Sequence, residues 1–285
     1  TRYPEHKFYA ISKGEKGYNT KNFKVYSNMY IFKILKKFQW EKYLANHYDT
    51  VVTIGGSMFM ERGDTNRDFS LGKNKRYVLG INFGPYKTQE YYNNIHNMLS
   101  NVEDVCFRDK YSYNLFKDLP NVRQAADIVF SMDMSNIKNT NRKRAIISII
   151  SPKDKINKKY QKQYEEKMLE LISFLIEKGY EICLMSFCKI EHDEEEIEEI
   201  YSKIPEKQRR NVEKYYYDGN VEEALNTIAD SQIIVGGRFH ANIIGLCLGK
   251  SILPVLYSDK TLHVLQDMQI DTPIIDIRNL ESFDI

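Results

Sequence analysis

The sequence predicts an α/β protein. Short apolar runs ending in glycine or other small residues alternate with longer stretches of helical period, the pattern of parallel strands joined by crossover helices. These runs fall into two groups on either side of a polar stretch at 136–141 that leads into Arg142-Lys143-Arg144. With 285 residues and 42% hydrophobic content the chain can bury two cores, so we expect an N-terminal domain over 1–141 and a C-terminal domain over 142–285.

In the first group, strands are expected at 50–54, 77–81 and 104–108, the first ending at Gly55-Gly56-Ser57. That glycine pair reads either as a tight strand-to-helix turn or as an acceptor-binding loop. In the second group, strands are expected at 144–150, 181–186, 232–235, 251–255 and 273–277. Between the first two of these, Met168, Leu171, Ile172 and Leu175 recur at helical spacing over 159–177, and Gly179 closes that helix. The acidic run 192–199 reads as a solvated helix face whose buried edge is Ile197 and Ile200, because adjacent carboxylates on a helix diverge and cannot converge on one ion.

Composition excludes several partner classes. Forty-one basic and 39 acidic residues leave a net charge of +2, too small a field to favour nucleic acid or an anionic membrane. The four cysteines, Cys106, Cys183, Cys188 and Cys247, are too scattered for a disulfide framework or close metal-ligand spacing, which fits a reducing cytoplasm. No run approaches the ~18 apolar residues of a membrane span. The chain opens Thr1-Arg2-Tyr3-Pro4, with neither a secretory pattern nor an initiator Met, and we expect N-terminal residues beyond this sequence.

The chemistry concentrates late in the chain. Residues 230–235 form a strand-like run that passes through Gly236-Gly237 into Arg238-Phe239-His240 and a helical pattern to Leu246. Glycines allow the sharp turn, and the helix start presents N–H groups and a positive dipole end to an anion. Arg238 adds a planar cationic fork for oxyanions and His240 a proton exchangeable near neutral pH. The competing reading pairs Arg238 with an acidic neighbour and makes His240 a packing residue; spacing alone leaves both open.

Asp218-Gly219-Asn220, the run 233–241, Gly249-Lys250-Ser251 and Tyr257-Ser258-Asp259-Lys260 resemble, in order, the C-terminal signature of the polysaccharide pyruvyl transferase family. Upstream, Gly55-Gly56-Ser57, the run from Phe107-Arg108-Asp109 to Ser112, and Ala126-Asp127-Ile128-Val129-Phe130 are similar to further family motifs, so the resemblance runs from about residue 51 to the C-terminus. The family's usual first strand, with its Gly- or Asn-rich loop, is not visible before Thr50.

The resemblance implies two Rossmann-like domains of glycosyltransferase B type with the site in the cleft between them, the N-terminal one incomplete as given. It implies phosphoenolpyruvate as donor and a sugar acceptor, lipid-linked or polymeric, reached from the cytoplasm with at most peripheral membrane association. Carried over by position, Gly236, Gly237, Arg238, Phe239 and His240 bind the donor, with His240 as general acid and Arg238 on the phosphate or carboxylate. Arg108, Ser258 and Lys260 are further donor contacts, Gly55, Gly56 and Ser57 the acceptor side, and His263 a reserve acid. The scheme requires neither metal nor cofactor. For Arg108 the structural alternative is a pair with Asp109 or Asp127, and tyrosines such as Tyr215-Tyr216-Tyr217 serve core packing more often than sugar stacking. A nucleotide-sugar glycosyltransferase or epimerase on the same fold, and a non-catalytic carbohydrate-binding assembly partner, are the alternatives.

Overall fold

A computed structural model describes residues 5–12, 21–27, 48–61, 75–153 and 158–280. The chain divides into two compact units, Thr1–Phe107 with Leu115–Arg123, and Arg108–Asn114 with Gln124–Ile285. The polar stretch at 136–141 therefore belongs to the second unit rather than ending the first. Side chains tie it there: Lys250 Nζ donates to Asn139 Oδ1 (2.5 Å), the Thr140 hydroxyl donates to Asp230, and Arg142 Nη1 donates to Asp230 Oδ2 (3.1 Å).

The first unit opens with β1 (Phe8–Ser12) and β2 (Phe23–Ser27), which pair in parallel, so strands do precede Thr50. Its main sheet takes β3 (Thr50–Phe59), β4 (Lys75–Phe83), β5 (Asp104–Phe107) and β6 (Val122–Gln124) in that spatial order, with β3 to β5 parallel. Helix α1 (Gln89–Leu99) is capped by the Thr88 side chain, which accepts from Tyr91 N–H. The core gathers Phe59, Ile81, Phe83, Leu99, Phe107 and Phe116, each at most 2% exposed, and Phe116 meets Phe83 edge-on at 4.9 Å. Gly55-Gly56 is a correction to the expected strand-to-helix turn. Both residues lie inside β3 at φ +68° and +81°, just before the register against β4 shifts between Gly56 and Phe59, so they lead into an irregularity within a ten-residue strand.

Helix α2 (Lys110–Phe116) follows β5 after two residues, and its first part belongs to the second unit. That unit carries six strands: β7 (Arg144–Ser148), β8 (Glu181–Ser186), β9 (Val212–Tyr216), β10 (Ile233–Gly236), β11 (Ser251–Leu256) and β12 (Ile275–Asp276). All pair in parallel, in the order β12-β11-β10-β7-β8-β9. This is the doubly wound Rossmann order, reversing between β7 and β10, and in such sheets ligands lie outside the carboxyl ends of the strands at the reversal. The expected α/β class with Rossmann-like organisation is therefore observed.

Helices α3 (Lys158–Glu177), α4 (Asp193–Lys203), α5 (Glu206–Arg209), α6 (Val221–Ala229), α7 (Phe239–Cys247) and α8 (Lys260–Asp267) complete the unit. Period-two alternation splits the strand side chains between two cores. Ala145, Ile147, Leu184 and Val235 pack with Met168, Ile172, Ile197 and Ile200 of α3 and α4, whereas Ile146, Cys183 and Ile234 pack with Ala224, Ile228 and Ala241 of α6 and α7. Helix α3 ends as expected, with Gly179 N–H donating to Ile176 O (2.8 Å) and Tyr180 N–H to Leu175 O (2.9 Å). Among the described residues, no helix is long and apolar enough to cross a membrane.

Candidate functional site

The strand, turn and helix expected at 230–246 form as β10, Gly236-Gly237 and α7, at the reversal of the second sheet. Space, more than backbone freedom, requires the two glycines. A Cβ on Gly237 would stand 2.4 Å from the Ser148 carbonyl oxygen, and one on Gly236 would stand 2.1 Å from Asn242 Oδ1. Gly237 N–H donates to Ser148 O (3.0 Å) and Arg238 N–H to Ser148 Oγ (3.3 Å), which lashes the turn to the end of β7. Asn242 Nδ2 donates back to Gly236 O (2.8 Å) and bolts the first helical turn onto the strand end. Arg238 stands at the N-cap of α7, and its own side chain makes no cap bond to the first-turn N–H groups.

Two charged clusters flank this turn. In the first, Arg238 Nε donates to Asp193 Oδ2 (2.9 Å), Nη2 donates to Asp193 Oδ1, and Nη1 donates to Glu191 Oε2 (2.7 Å). Asp193 is 0% exposed and also accepts from the backbone N–H of Cys188 (3.0 Å), with Ser151 and Phe187 N–H at 3.4 Å. The acidic run is thus corrected: Asp193 and Glu196 face inward with Ile197 and Ile200 instead of lying on a solvated face. Burial works against the charge on Arg238, but the hydrogen bonds and field of Asp193, then those of Glu191, outweigh it and raise the guanidinium pKa above its usual value. Tyr257 lies within the electrostatic reach of Arg238. Its phenol is pushed up first by burial and then by the two carboxylates, against the pull of Arg238.

The second cluster holds His240. Arg108 follows β5, and its Nη1 donates to Asp127 Oδ2 at 2.7 Å with both side chains at most 3% exposed. The Arg108 guanidinium lies 4.1 Å over the face of Phe239, and the Phe239 and His240 rings meet edge-on at 5.2 Å. Asp127 Oδ1 meanwhile accepts from Val129 N–H (3.0 Å), which fixes the carboxylate on its own turn. His240 keeps an exposed edge. The protein packed around its ring lowers the imidazole pKa all the same, Asp127 opposing that shift while Arg108 and Lys260 add to it.

The structure thus brings Phe239, His240 and Arg108 together at the α7 start, while Arg238 is held by Asp193 and Glu191. Lys260 opens α8 with its Nζ 5.8 Å from the Tyr257 ring, and Ser258 is half-buried in the preceding link. His263 stacks on Tyr111 at 4.8 Å. In the first unit, Gly55 and Gly56 lie within β3, and the Ser57 hydroxyl donates to Asn82 Oδ1 (3.0 Å). Sequence reasoning passed over Glu191, Asp193, Ser148 and Asn242. A signal for Asp193 was present, since Asp193, Glu196, Ile197 and Ile200 recur at i, i+3, i+4 and i+7, the spacing of one buried helix face.

The sequence pattern of the family described as polysaccharide pyruvyl transferase matches residues 3–260, almost the whole chain. The chain belongs to this family. A relative, the amylovoran biosynthesis protein AmsJ of Erwinia amylovora, is 24% identical over 264 residues, covering 82% of this chain and 62% of AmsJ. The chain therefore spans less than two-thirds of that relative's length. Among solved structures, it is similar to a glycosyltransferase from Rickettsia africae at 12% identity and a TM-score of 0.48, covering 98% of this chain and 79% of that one. It is also similar to a structure of accessory secretory proteins 1, 2 and 3 from Streptococcus pneumoniae, at 13% identity and a TM-score of 0.45, covering 87% and 48%.

Proposed function

We propose that the chain moves the pyruvyl group of phosphoenolpyruvate onto two hydroxyls of a sugar, forming a pyruvate ketal during the synthesis of exopolysaccharide, capsule or cell-wall glycan. The acceptor is a lipid-linked or polymeric glycan met in the cytoplasm. The observation that carries this reading is that the triplet Arg238-Phe239-His240, in a chain of this family, opens α7 at the reversal of the second sheet.

The reaction needs a proton on the methylene carbon of the enol, which becomes the methyl group and leaves the central carbon electrophilic. One sugar hydroxyl adds to that carbon, the bond to the phosphate oxygen breaks, and the second hydroxyl closes the ketal. Of the two hydroxyl protons released, one restores the acid and the other leaves with inorganic phosphate. His240 is the proton donor in this scheme, and its low pKa makes the imidazolium a strong acid. The N–H groups at the start of α7, Arg238 and Lys260 hold the anionic donor, and Arg108 supports the site through the Phe239 face. Gly55, Gly56 and Ser57 are assigned to the acceptor.

Calorimetry with phosphoenolpyruvate on the intact chain and on Arg238→Ala, together with a turnover assay on His240→Ala, tests the reading. Binding weakened at least tenfold in Arg238→Ala and turnover abolished in a folded His240→Ala are expected. Stabilisation by uridine diphosphate with no response to phosphoenolpyruvate would instead point to a nucleotide-sugar enzyme, and undiminished turnover in His240→Ala would remove the proposed acid.

A further inference from the structure

Two carboxylates of unlike kind hold Arg238. Asp193 is wholly buried, is held by backbone N–H groups, and grips Nε and Nη2 side by side. Glu191 accepts from Nη1, ends a short 3-10 turn beyond β8, and keeps its side chain 45% exposed. Asp193 therefore fixes the direction of the guanidinium, and a half-exposed rim carboxylate covers Nη1. A guanidinium makes the same short, charge-assisted contacts with a carboxylate as with a phosphate oxygen. This covered nitrogen lies beyond the carboxyl end of the sheet, beside the turn into α7, where anionic ligands of such sheets settle.

We propose that the Glu191 carboxylate holds the place on Arg238 Nη1 that an oxyanion of the donor takes on binding, so that donor capture is an exchange of one anion for another. The proposal rests on the pyruvyl-transfer reading above. In it, Asp193 is the positioning residue that keeps Arg238 aimed while Glu191 is displaced.

The test is calorimetry with phosphoenolpyruvate, inorganic phosphate and pyruvate on the intact chain, Glu191→Gln, Glu195→Gln, and Glu191→Gln combined with Arg238→Ala. Glu195 is an exposed neighbour bonded to His192, so its substitution removes the same charge without touching Arg238. Glu191→Gln is expected to tighten phosphoenolpyruvate roughly 2- to 5-fold, with no gain in Glu195→Gln and none once Arg238 is gone. The same gain with inorganic phosphate places the phosphate end of the donor on Arg238, and a gain with pyruvate places the carboxylate end there. An equal gain in Glu195→Gln, or a gain that survives the loss of Arg238, overturns the exchange while leaving the donor assignment intact. Phosphate tightened through Arg238 with no binding of phosphoenolpyruvate overturns the donor assignment instead. No binding of any of the three anions overturns both.

Discussion

Arg238 shows how burial divides the labour between two carboxylates on one guanidinium. Glu191 is a rim contact of the kind worth about 0–1 kcal/mol, so Glu191→Gln should leave stability nearly unchanged. Asp193 is buried beneath Arg238 and accepts from Cys188 N–H, so Asp193→Ala leaves a buried cation and a backbone donor unsatisfied, at a cost of about 3–5 kcal/mol. Urea unfolding of the two variants checks the contrast, and a loss below about 1 kcal/mol for Asp193→Ala would sink it. His240 carries a separate expectation, in pH. Its pKa lies below the ordinary value of 6.5, so the protonated imidazole needed for proton donation fills only as pH falls below neutrality. The kcat/KM profile should rise toward acid, and a profile flat between about pH 5 and 8 would count against His240 as the donor.

At the scale of elements, the turn from β10 into α7 is the part most open to a direct steric test. The Cβ of Gly237→Ala would meet a backbone oxygen of β7 at 2.4 Å, which cannot yield without opening the sheet at its reversal. The Cβ of Gly236→Ala would meet the end of the Asn242 side chain, which can move. Gly237→Ala should therefore lose donor binding and stability together, whereas the damage from Gly236→Ala should be partly relieved by Asn242→Ala. Thermal melts with and without phosphoenolpyruvate read both, and equal damage from the two single variants with no relief would contradict this account. This element was legible in the sequence because a buried apolar run, two glycines and a helical period follow one another without competing signals. The edge strand β9 was not legible, because Val212-Glu213-Lys214-Tyr215 neither alternates apolar with polar residues nor forms the apolar run of a central strand. Gly55-Gly56 misled for a related reason: glycines at positive φ suit a strand irregularity as well as they suit a turn.

For the whole molecule, the sequence predicts a division at 141/142, whereas the stretch 136–141 packs with the second unit, because composition marks it as polar without revealing that Asn139 and Thr140 are bonded to Lys250 and Asp230. Long-range packing of this kind also hides a buried carboxyl whose titration ties stability to pH. Glu196 is 4% exposed on α4, and burial first, then the nearby Glu165, with Glu199 adding, raises its pKa from 4.5 to about 7, while Lys153 and Lys203 act in the opposite direction. Between those two values the folded chain keeps a proton that the unfolded chain has released. The native state therefore binds more protons in that window, and stability falls as pH rises through it, levelling off above about 7. Glu196→Gln removes the cost of burying the charge, so it should match the parent near the ordinary carboxylate pKa and exceed it above neutrality by on the order of 2 kcal/mol. His240 works in the other sense: its lowered pKa means the unfolded chain takes up protons first, so stability drops as pH falls below 6.5. The two slopes oppose each other between 4.5 and 6.5, so Glu196→Gln should show the acid-side fall due to His240 undiluted and should lack the fall as pH rises toward 7. Urea unfolding across a pH series decides the point, since a gain in Glu196→Gln of equal size at acid and alkaline pH would show that the carboxylate is not what titrates.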